Sequence, residues 1–247
     1  MEGLPEITTT WKRPADIKFP TTWHRFETKS KDGRVYKIRI EDLTEERTGE
    51  AIDFLMKYYF PEEPLSVTSK ILEDEISLMI YQYLLTQMIA QNISIIAVMD
   101  DDSPNPEIVG LQLLSVASKD DPELPEIPAE ALNKKRKIYM DIRRNHNPFE
   151  ILGSDLYLHE WGICVAPEYR RLGIALNILH TLTKIGEAYG LKGTMIMFTR
   201  TESQKLAEKA GFKLYNEIVY SEYTDDEGNV IFPVEGTKSL KFMGKLF

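Results

Sequence analysis

The chain has 247 residues, a formal net charge of -9 at pH 7 and an apolar fraction of 43%, which fits one globular domain with an ordinary core. The acidic balance excludes a broad nucleic-acid-binding surface, because neutralising phosphates requires clustered Lys and Arg. The one cysteine, Cys164, excludes an internal disulfide, and with no signal-like start or long apolar run we expect a cytoplasmic monomer without nucleic-acid or membrane partners.

The first segment, residues 1–31, mixes Thr, Pro, Lys and aromatic residues without periodicity. Such a composition predicts a loosely structured arm, which Trp11, Phe19 and Trp23 would hold against the body of the protein. We therefore expect an N-terminal arm over residues 1–31, followed by one domain over residues 32–247.

Hydrophobic periodicity predicts the elements that follow in the first half of the domain. In chain order they are a strand over 35–40, a helix that ends before Pro61, a helix over 73–91, a hairpin of strands 94–99 and 107–118, and a helix over 129–143. The run KKRK at 134–137 is interpreted as a solvated helix face, because charge runs on helices usually face water.

The most informative stretch is LHEWGICVAPEYRRLGIA at 158–175, which predicts a strand, a tight turn and a helix. An apolar run suits a buried strand, and Pro167 ends its ladder. Arg170, Arg171 and Gly173 then open an amphipathic helix, where free backbone N–H groups and the helix dipole favour an anion. We interpret this turn as a pyrophosphate-binding cradle.

Beyond this stretch, the pattern predicts a helix up to Gly190, a buried strand over 194–198, a short helix and two closing strands over 213–220 and 239–245. The run TESQ at 201–204 is typical of a capping box at the start of the short helix, which ends at Gly211. Strands on both sides of a strand-turn-helix unit predict a mixed α/β (α+β) architecture.

The motif Arg170-x-x-Gly173-x-Ala175 resembles the acyl-coenzyme A binding motif of the GNAT acetyltransferase superfamily, and Gly211-Phe212 matches the closing signature of that family. The resemblance implies a GNAT fold with a mixed central sheet of about seven strands, splayed at the acyl-CoA site and flanked by helices. It also implies acetyl-CoA as the acetyl donor. The residues that would bind it are Ile163, Cys164, Val165, Arg170, Arg171, Leu172, Gly173, Ile174 and Ala175.

The segment FPEEPL at 60–65 is similar to a segment of insect-type arylalkylamine (dopamine) N-acetyltransferases, in which the glutamate before the proline is the proposed general base. That glutamate is Glu63, and the hydroxyl residues placed near the thioester are Thr199 and Ser203. The resemblance implies transfer of an acetyl group to the primary amine of a small arylalkylamine by direct attack. The alternatives are a polyamine or other small aliphatic amine as acceptor, or a non-catalytic CoA-binding module.

The amine pocket is expected to include Tyr58, Tyr59, Phe60 and His159, whose rings offer cation–π contacts to an ammonium. Partial burial beneath the first three of these aromatic residues is expected to raise the pKa of Glu63 towards that of a useful base.

The base could instead lie on the strand before the motif, where His159 matches a histidine of vertebrate arylalkylamine enzymes and Glu160 a glutamate of histone-type enzymes. Adjacent strand residues face opposite sides of a sheet, so at most one of the two is expected to face the cleft.

Ala207 occupies the place of the tyrosine that protonates the departing thiolate in many GNAT enzymes. Ser203 could supply that proton, or the thiolate could leave unaided because thiols are far more acidic than amines. Cys164 is expected to be core rather than an acyl carrier. No metal site is expected, because Ile163 stands where a zincin motif starting at His159 would need its second histidine.

Overall fold

The computed structural model describes residues 9–122 and 127–247, so residues 1–8 of the expected arm lie outside the described part. The strands are β1 Thr22–Lys29, β2 Val35–Asp42, β3 Ile95–Met99, β4 Ile108–Ser118, β5 Leu156–Val165, β6 Gly193–Phe198, β7 Lys213–Val219 and β8 Ser239–Leu246. The α-helices are α1 Thr48–Tyr58, α2 Pro64–Thr68, α3 Glu75–Ile89, α4 Glu130–Arg143, α5 Pro148–Leu152, α6 Ile174–Ala188 and α7 Thr201–Lys209.

Within the described residues, the strands form one sheet of eight in the order β1-β2-β3-β4-β5-β6-β8-β7. The neighbours are antiparallel except for β5 and β6, which run parallel. The mixed α/β fold class predicted from the sequence is confirmed, with eight strands instead of about seven.

The additional strand is β1, which lies in the segment expected to be a loose arm. It forms the edge of the sheet against β2, and every second side chain from His24 to Thr28 is more buried than its successor. This short alternation is a strand signal that the composition of residues 1–31 as a whole does not reveal. Trp11 and Trp23 hold the segment as expected, since both rings contact Tyr189 edge-on.

Helices cover both faces of the sheet. On one face, α6 buries Ile178, Leu182 and Ile185 in a core cluster shared with the central strands. On the other face, α1 and α3 pack through Phe54, Leu84 and other apolar side chains. Both faces of the central strands are thus covered by helices. None of the helices in the described ranges is long and apolar enough to cross a membrane.

The sheet opens between β5 and β6. These two strands pair only at Leu158 with Thr194 and at His159 with Met195, whereas β5 stays paired with β4 up to Val165. Beyond His159, β6 therefore diverges from β5. The divergence creates a wedge whose apex lies at Glu160, the residue that follows the last pair.

Candidate active site

A cavity of about 490 Å³ occupies the wedge between the diverging strands. The expected donor-binding residues line it, except for Leu172, which packs in the core cluster around α6. We call this space the donor cavity. The expected residues that line it are Ile163, Cys164, Val165, Arg170, Arg171, Gly173, Ile174 and Ala175. The strand β6 and the turn after it contribute Met197, Phe198, Thr199 and Arg200.

The turn before α6 has the backbone that an anion site requires. Gly173 is the N-cap of α6 with φ +78°, and the Asn177 N–H makes the first bond of the helix to the Gly173 carbonyl. The amides between these two residues precede that ladder and remain available to a ligand. A Cβ on Gly173 would meet no atom closer than 3.8 Å, so glycine is required here by the left-handed backbone and not by crowding.

An acidic residue ties two arginines together in the donor cavity. Glu62 accepts from Arg170 at 3.0 Å and from Arg200 at 2.9 Å, which joins the loop after α1 to the anion turn and to the start of α7. Burial acts to raise the pKa of Glu62, but the two guanidinium groups outweigh it and lower the pKa. Neither Glu62 nor Arg200 is among the site residues predicted from the sequence.

Glu63 is the N-cap of α2 and is almost completely buried, at 3% exposure. Its side chain accepts the N–H groups of Leu65 and Ser66 and the Ser66 hydroxyl, and it forms an ion pair with Lys135 at 2.7 Å. Burial raises the pKa of a carboxyl, but the Lys135 charge and these hydrogen bonds outweigh it, so the pKa of Glu63 is lowered. The expectation of a raised pKa is wrong, because it counted the burial and missed the lysine.

Lys135 corrects the interpretation of the KKRK run as a solvated face. This lysine is 2% exposed and shares the buried stripe of α4 with Ala131, Ile138 and Ile142. Its ammonium lies over the rings of three tyrosines, at 5.6 Å from Tyr59, 5.2 Å from Tyr81 and 5.8 Å from Tyr139. The signal was present in the sequence, since helical spacing places position 135 with the apolar residues of α4.

A second cavity of about 430 Å³ lies beside the donor cavity and shares Tyr59, Glu160 and Met197 with it. We call it the aromatic cavity. Its walls come from α3, α4 and β5, and its ring-bearing residues are Tyr59, Tyr81, Tyr139, His159 and Trp161.

Glu160 lines both cavities, whereas His159 lines the aromatic cavity alone. The rule that at most one of the two faces the cleft holds for the donor cavity. It does not hold for the aromatic cavity, which both residues line, and β5 is irregular directly after them. Its pairing with β4 shifts between Leu113 and Leu114, so that Trp161 is inserted between the residues that face them.

Burial shifts the pKa values of His159 and Glu160 in opposite directions, because it disfavours the charged form of each. Burial lowers the pKa of His159 to about 3, with a further contribution from the Arg143 charge, so the imidazole is neutral. Burial raises the pKa of Glu160 to about 8, although the Gly162 N–H and the Lys135 charge act against it; the Glu63 charge adds to the rise. At neutral pH, Glu160 is thus close to its titration range and Glu63 is fully ionised.

Among the other expected site residues, Tyr58, Thr199 and Ser203 line the donor cavity, and the Ser203 hydroxyl donates to the Arg200 carbonyl at 2.9 Å. The capping box at 201–204 is not formed, because Arg200 is the N-cap and caps without its side chain. Phe60 is 1% exposed and lines neither of the two cavities; its ring packs behind Tyr59 and Tyr81, at 5.5 Å and 5.1 Å between ring centroids.

Burial raises the pKa of the Cys164 thiol to about 12, which keeps it protonated in the wall of the donor cavity. No group of three or more His, Cys, Asp or Glu side chains within the described ranges could hold a metal ion.

Comparison with known proteins agrees with this geometry. Residues 139–212 match the model of the Acetyltransferase (GNAT) family, and this range contains β5, the anion turn, α6, β6 and α7. No curated protein is similar enough in sequence to match the chain.

Among solved structures, the chain is similar to a protein named arylalkylamine N-acetyltransferase 7 from the yellow fever mosquito Aedes aegypti, with a TM-score of 0.86 and 27% identity over 96% of this chain and 99% of that one. It shares its fold with arylalkylamine N-acetyltransferase 2 of the same mosquito, at a TM-score of 0.76 and 21% identity over 85% and 98% of the two chains.

The fold is also that of the Drosophila melanogaster polyamine N-acetyltransferase that forms N-acetylagmatine, at a TM-score of 0.70 and 15% identity over 85% and 100% of the chains. The wedge and the anion turn thus lie within residues 139–212, the part of the chain that matches the GNAT acetyltransferase family, and the structural neighbours of the chain include proteins named as insect arylalkylamine N-acetyltransferases.

Proposed function

We propose that this protein transfers the acetyl group of acetyl-CoA to the primary amine of a small arylalkylamine by direct attack. The observation that carries the proposal is the meeting of two cavities at Glu160, one with an anion-binding turn and one walled by aromatic rings. A donor and an acceptor that enter from the two sides would meet at the wedge apex.

The donor cavity fits an acyl-CoA. The amides at the start of α6, with Arg170 and Arg171 beside them, form a site for a pyrophosphate, and Ile163 to Val165 offer a strand edge to an extended chain. Acetyl-CoA supplies the acetyl group as a thioester. Thr199 and Ser203 lie along the same wall; the Thr199 hydroxyl can donate to a sulfur or a carbonyl, whereas the Ser203 hydroxyl donates to the Arg200 carbonyl and would have to leave that bond to do the same.

The aromatic cavity suits an acceptor that carries a ring. Tyr59, Trp161 and Met197 present apolar faces, and Trp161 is oriented by its N–H bond to the Ser115 hydroxyl at 2.7 Å. The Lys135 ammonium already lies over the three tyrosine rings of this cavity. A polyamine would place its second cation on rings that the Lys135 ammonium already covers, whereas an arylalkylamine would place a neutral ring there, so an arylalkylamine fits better.

The reaction balances without a covalent enzyme intermediate. An ammonium first loses a proton to a carboxylate, because its own pKa near 10 keeps it protonated at neutral pH. The amine lone pair then forms a C–N bond to the acetyl carbon, and the C–S bond breaks with its electron pair on sulfur. The nitrogen loses a second proton as the amide forms. Of the two protons it has given up, one ends on the sulfur and the other is released to water through the carboxylate.

The carboxylate in that scheme is Glu63 or Glu160, since both line the donor cavity. Such general base help is worth roughly 100- to 10,000-fold in rate. In this proposal the protein acts as a cytoplasmic monomer on small molecules, without nucleic-acid or membrane partners. Its catalytic domain spans residues 32–247, with β1 of the preceding arm added to the sheet.

The test is an amine panel that contains tryptamine, dopamine, agmatine and putrescine, with acetyl-CoA as donor and free thiol as the readout. We expect amine-dependent thiol release that is fastest with the two arylalkylamines, and N-acetyltryptamine should release none. Faster release with agmatine or putrescine would favour the polyamine alternative. Thermal stabilisation by acetyl-CoA without any amine-dependent thiol release would show a non-catalytic CoA-binding module instead.

A further inference from the structure

One wall of the aromatic cavity is a face of α4 whose lining residues recur at helical spacing. Four of the residues on this wall are cations, although the formal net charge of the chain is -9. They are Lys135, Arg136, Arg143 and the C-cap Arg144. Among the described residues that line the cavity, Glu160 has the one carboxyl group, so cations outnumber acids there.

The cations of this wall differ in their partners. Lys135 is paired with Glu63 at 2.7 Å, and Arg144 with Asp141 at 2.6 Å. Arg143 is partly buried, yet it forms no ion pair with any residue that the structure describes. A guanidinium that is partly withdrawn from water and has no counter-charge favours the binding of an anion.

We propose that the acceptor is an arylalkylamine with an anionic group on its ring, and that Arg143 binds this group. The proposal rests on the acetyl transfer proposed above and narrows its substrate class. A carboxylate, a sulfate ester and a phosphate ester share the feature that a guanidinium recognises, which is a pair of charged oxygens that accept two parallel N–H bonds.

The contacts of Arg143 orient its guanidinium without neutralising it. Its Nε donates to the Tyr139 carbonyl at 3.2 Å, a capping bond that basic residues make in the last turn of a helix. Burial raises the pKa of Tyr157, and a hydrogen bond from Arg143 acts against that rise. Asp121 also acts on Tyr157, but its oxygens accept backbone N–H groups and form no ion pair with Arg143. A guanidinium has five N–H donors, so donors remain for a ligand.

The position of Arg143 sets how far the anion lies from the amine. Arg143 follows Lys135 by eight residues on α4, which is about 12 Å along a helix. In addition to the effects of burial, the Lys135 charge lowers the pKa of Glu160 at the wedge apex, and the Arg143 charge lowers that of His159. The cavity thus extends from the apex along α4 to Arg143. That length accommodates a phenylethylamine with one further group opposite its alkyl chain.

The groups between these two ends suit the neutral part of the same molecule. The rings of Tyr59 and Trp161 line the cavity there, and Trp161 lies edge-on to His159 at 5.3 Å between ring centroids. Burial lowers the pKa of His159 to about 3 and raises that of Glu160 to about 8. Both side chains are therefore mainly uncharged at neutral pH, and neither opposes an anion that binds Arg143.

The experiment uses two acceptors of the same shape that differ in charge, para-aminoethylbenzoate and para-aminoethylbenzamide. Their kcat/KM values are compared by thiol release from acetyl-CoA, and their affinities by calorimetry in the presence of CoA. We expect the benzoate to exceed the benzamide by about 10- to 100-fold in both measurements, because hydrogen bonds between charged groups are the strong ones. Tyramine O-sulfate and tyramine O-phosphate, each compared with tyramine, show which anionic group is preferred.

Variants of Arg143 test whether this residue causes the preference. R143M removes the charge and should lower the benzoate-to-benzamide ratio by about 10- to 100-fold, whereas a general structural defect would affect both acceptors alike. R143K keeps the charge without the planar fork and should retain part of the ratio. The matched control is K137M: Lys137 lies on the same helix, is 67% exposed and lines neither cavity, so the ratio should stay as in the wild type.

The proposal is overturned if the wild type binds and acetylates the benzamide as well as the benzoate, or if it binds neither compound. It is also overturned if R143M keeps the wild-type ratio, and if R143M does not fold, a wild-type ratio in K137M together with an equal one in R143K decides against it. Absence of thiol release with every amine would instead overturn the proposed acetyl transfer, since calorimetry compares the two compounds without turnover.

Discussion

Replacing Lys135 with methionine should destabilise the protein strongly, because it leaves the Glu63 carboxylate buried without its counter-ion. Lys135 and Glu63 are 2% and 3% exposed, and their charged atoms are 2.7 Å apart. Breaking a buried pair of this kind costs about 3–5 kcal/mol. For a chain of this size each 1 kcal/mol lowers Tm by roughly 2–4 °C, so the expected decrease is about 6–20 °C.

The measurement is thermal and urea unfolding at pH 7, followed by circular dichroism. Lys37→Met is the matched control: Lys37 pairs with Glu27 across β1 and β2 at 3.6 Å, but the two side chains are 66% and 64% exposed. Such a pair contributes about 0–1 kcal/mol. E63Q/K135M should recover at least half of the loss. The reasoning is refuted if K135M costs less than about 1 kcal/mol, or if the double variant is as unstable as the single one.

Three further predictions concern single positions. Gly173→Ala should lower the free energy of unfolding by about 1–2 kcal/mol, because φ is +78° there, and should weaken acetyl-CoA binding measured by calorimetry. The control is Gly190→Ala, at φ +67° after the C-terminus of α6, which should lower the free energy of unfolding by the same amount and leave binding unaffected. Equal effects of the two substitutions on binding would contradict the pyrophosphate-binding cradle. His159→Phe should reduce the loss of stability between pH 7 and pH 5 by about 2 kcal/mol. The pKa of His159 in the folded state is lowered to about 3, so below about pH 6.5 the unfolded state binds a proton that the folded state does not bind. Urea unfolding at pH 7 and pH 5 should show the difference. An unchanged pH dependence in the variant would contradict a neutral imidazole in the folded protein. Cys164 should react slowly with iodoacetamide at pH 8 and rapidly in urea, since burial raises its pKa to about 12; rapid labelling of the folded protein would contradict that.

The donor side of the site was predictable because its signals are local in the sequence. The apolar run before Pro167, the two arginines and Gly173 lie within one strand-turn-helix unit, and the backbone of that unit follows from residue types alone. The backbone position of Glu63 also follows from a local signal, because a residue directly before a proline such as Pro64 is well suited to be a helix N-cap, as it is in α2.

The errors arose where an element was judged by composition. The composition of residues 1–31 hides β1, because the segment as a whole lacks periodicity although the alternation within residues 22–29 is that of a strand. Lys135 was placed in solvent because its neighbours in the run are charged. The helical spacing of α4 places it on the same face as Ile138 and Ile142. On a helix, this spacing predicts burial better than the charge of the neighbouring residues does.

The sequence by itself determined the fold class, the turn that opens α6 and the carboxyl groups near it. Only the tertiary structure shows which of these carboxyl groups is paired with a cation, because the pairing depends on the groups packed around each one. The ion pair that keeps Glu63 charged joins positions 72 residues apart in the chain, and the place of Glu160 at the wedge apex follows from the divergence of β5 and β6. Neither contact leaves a local pattern, so both became visible only once α4 was packed against the loop after α1 and the sheet was assembled.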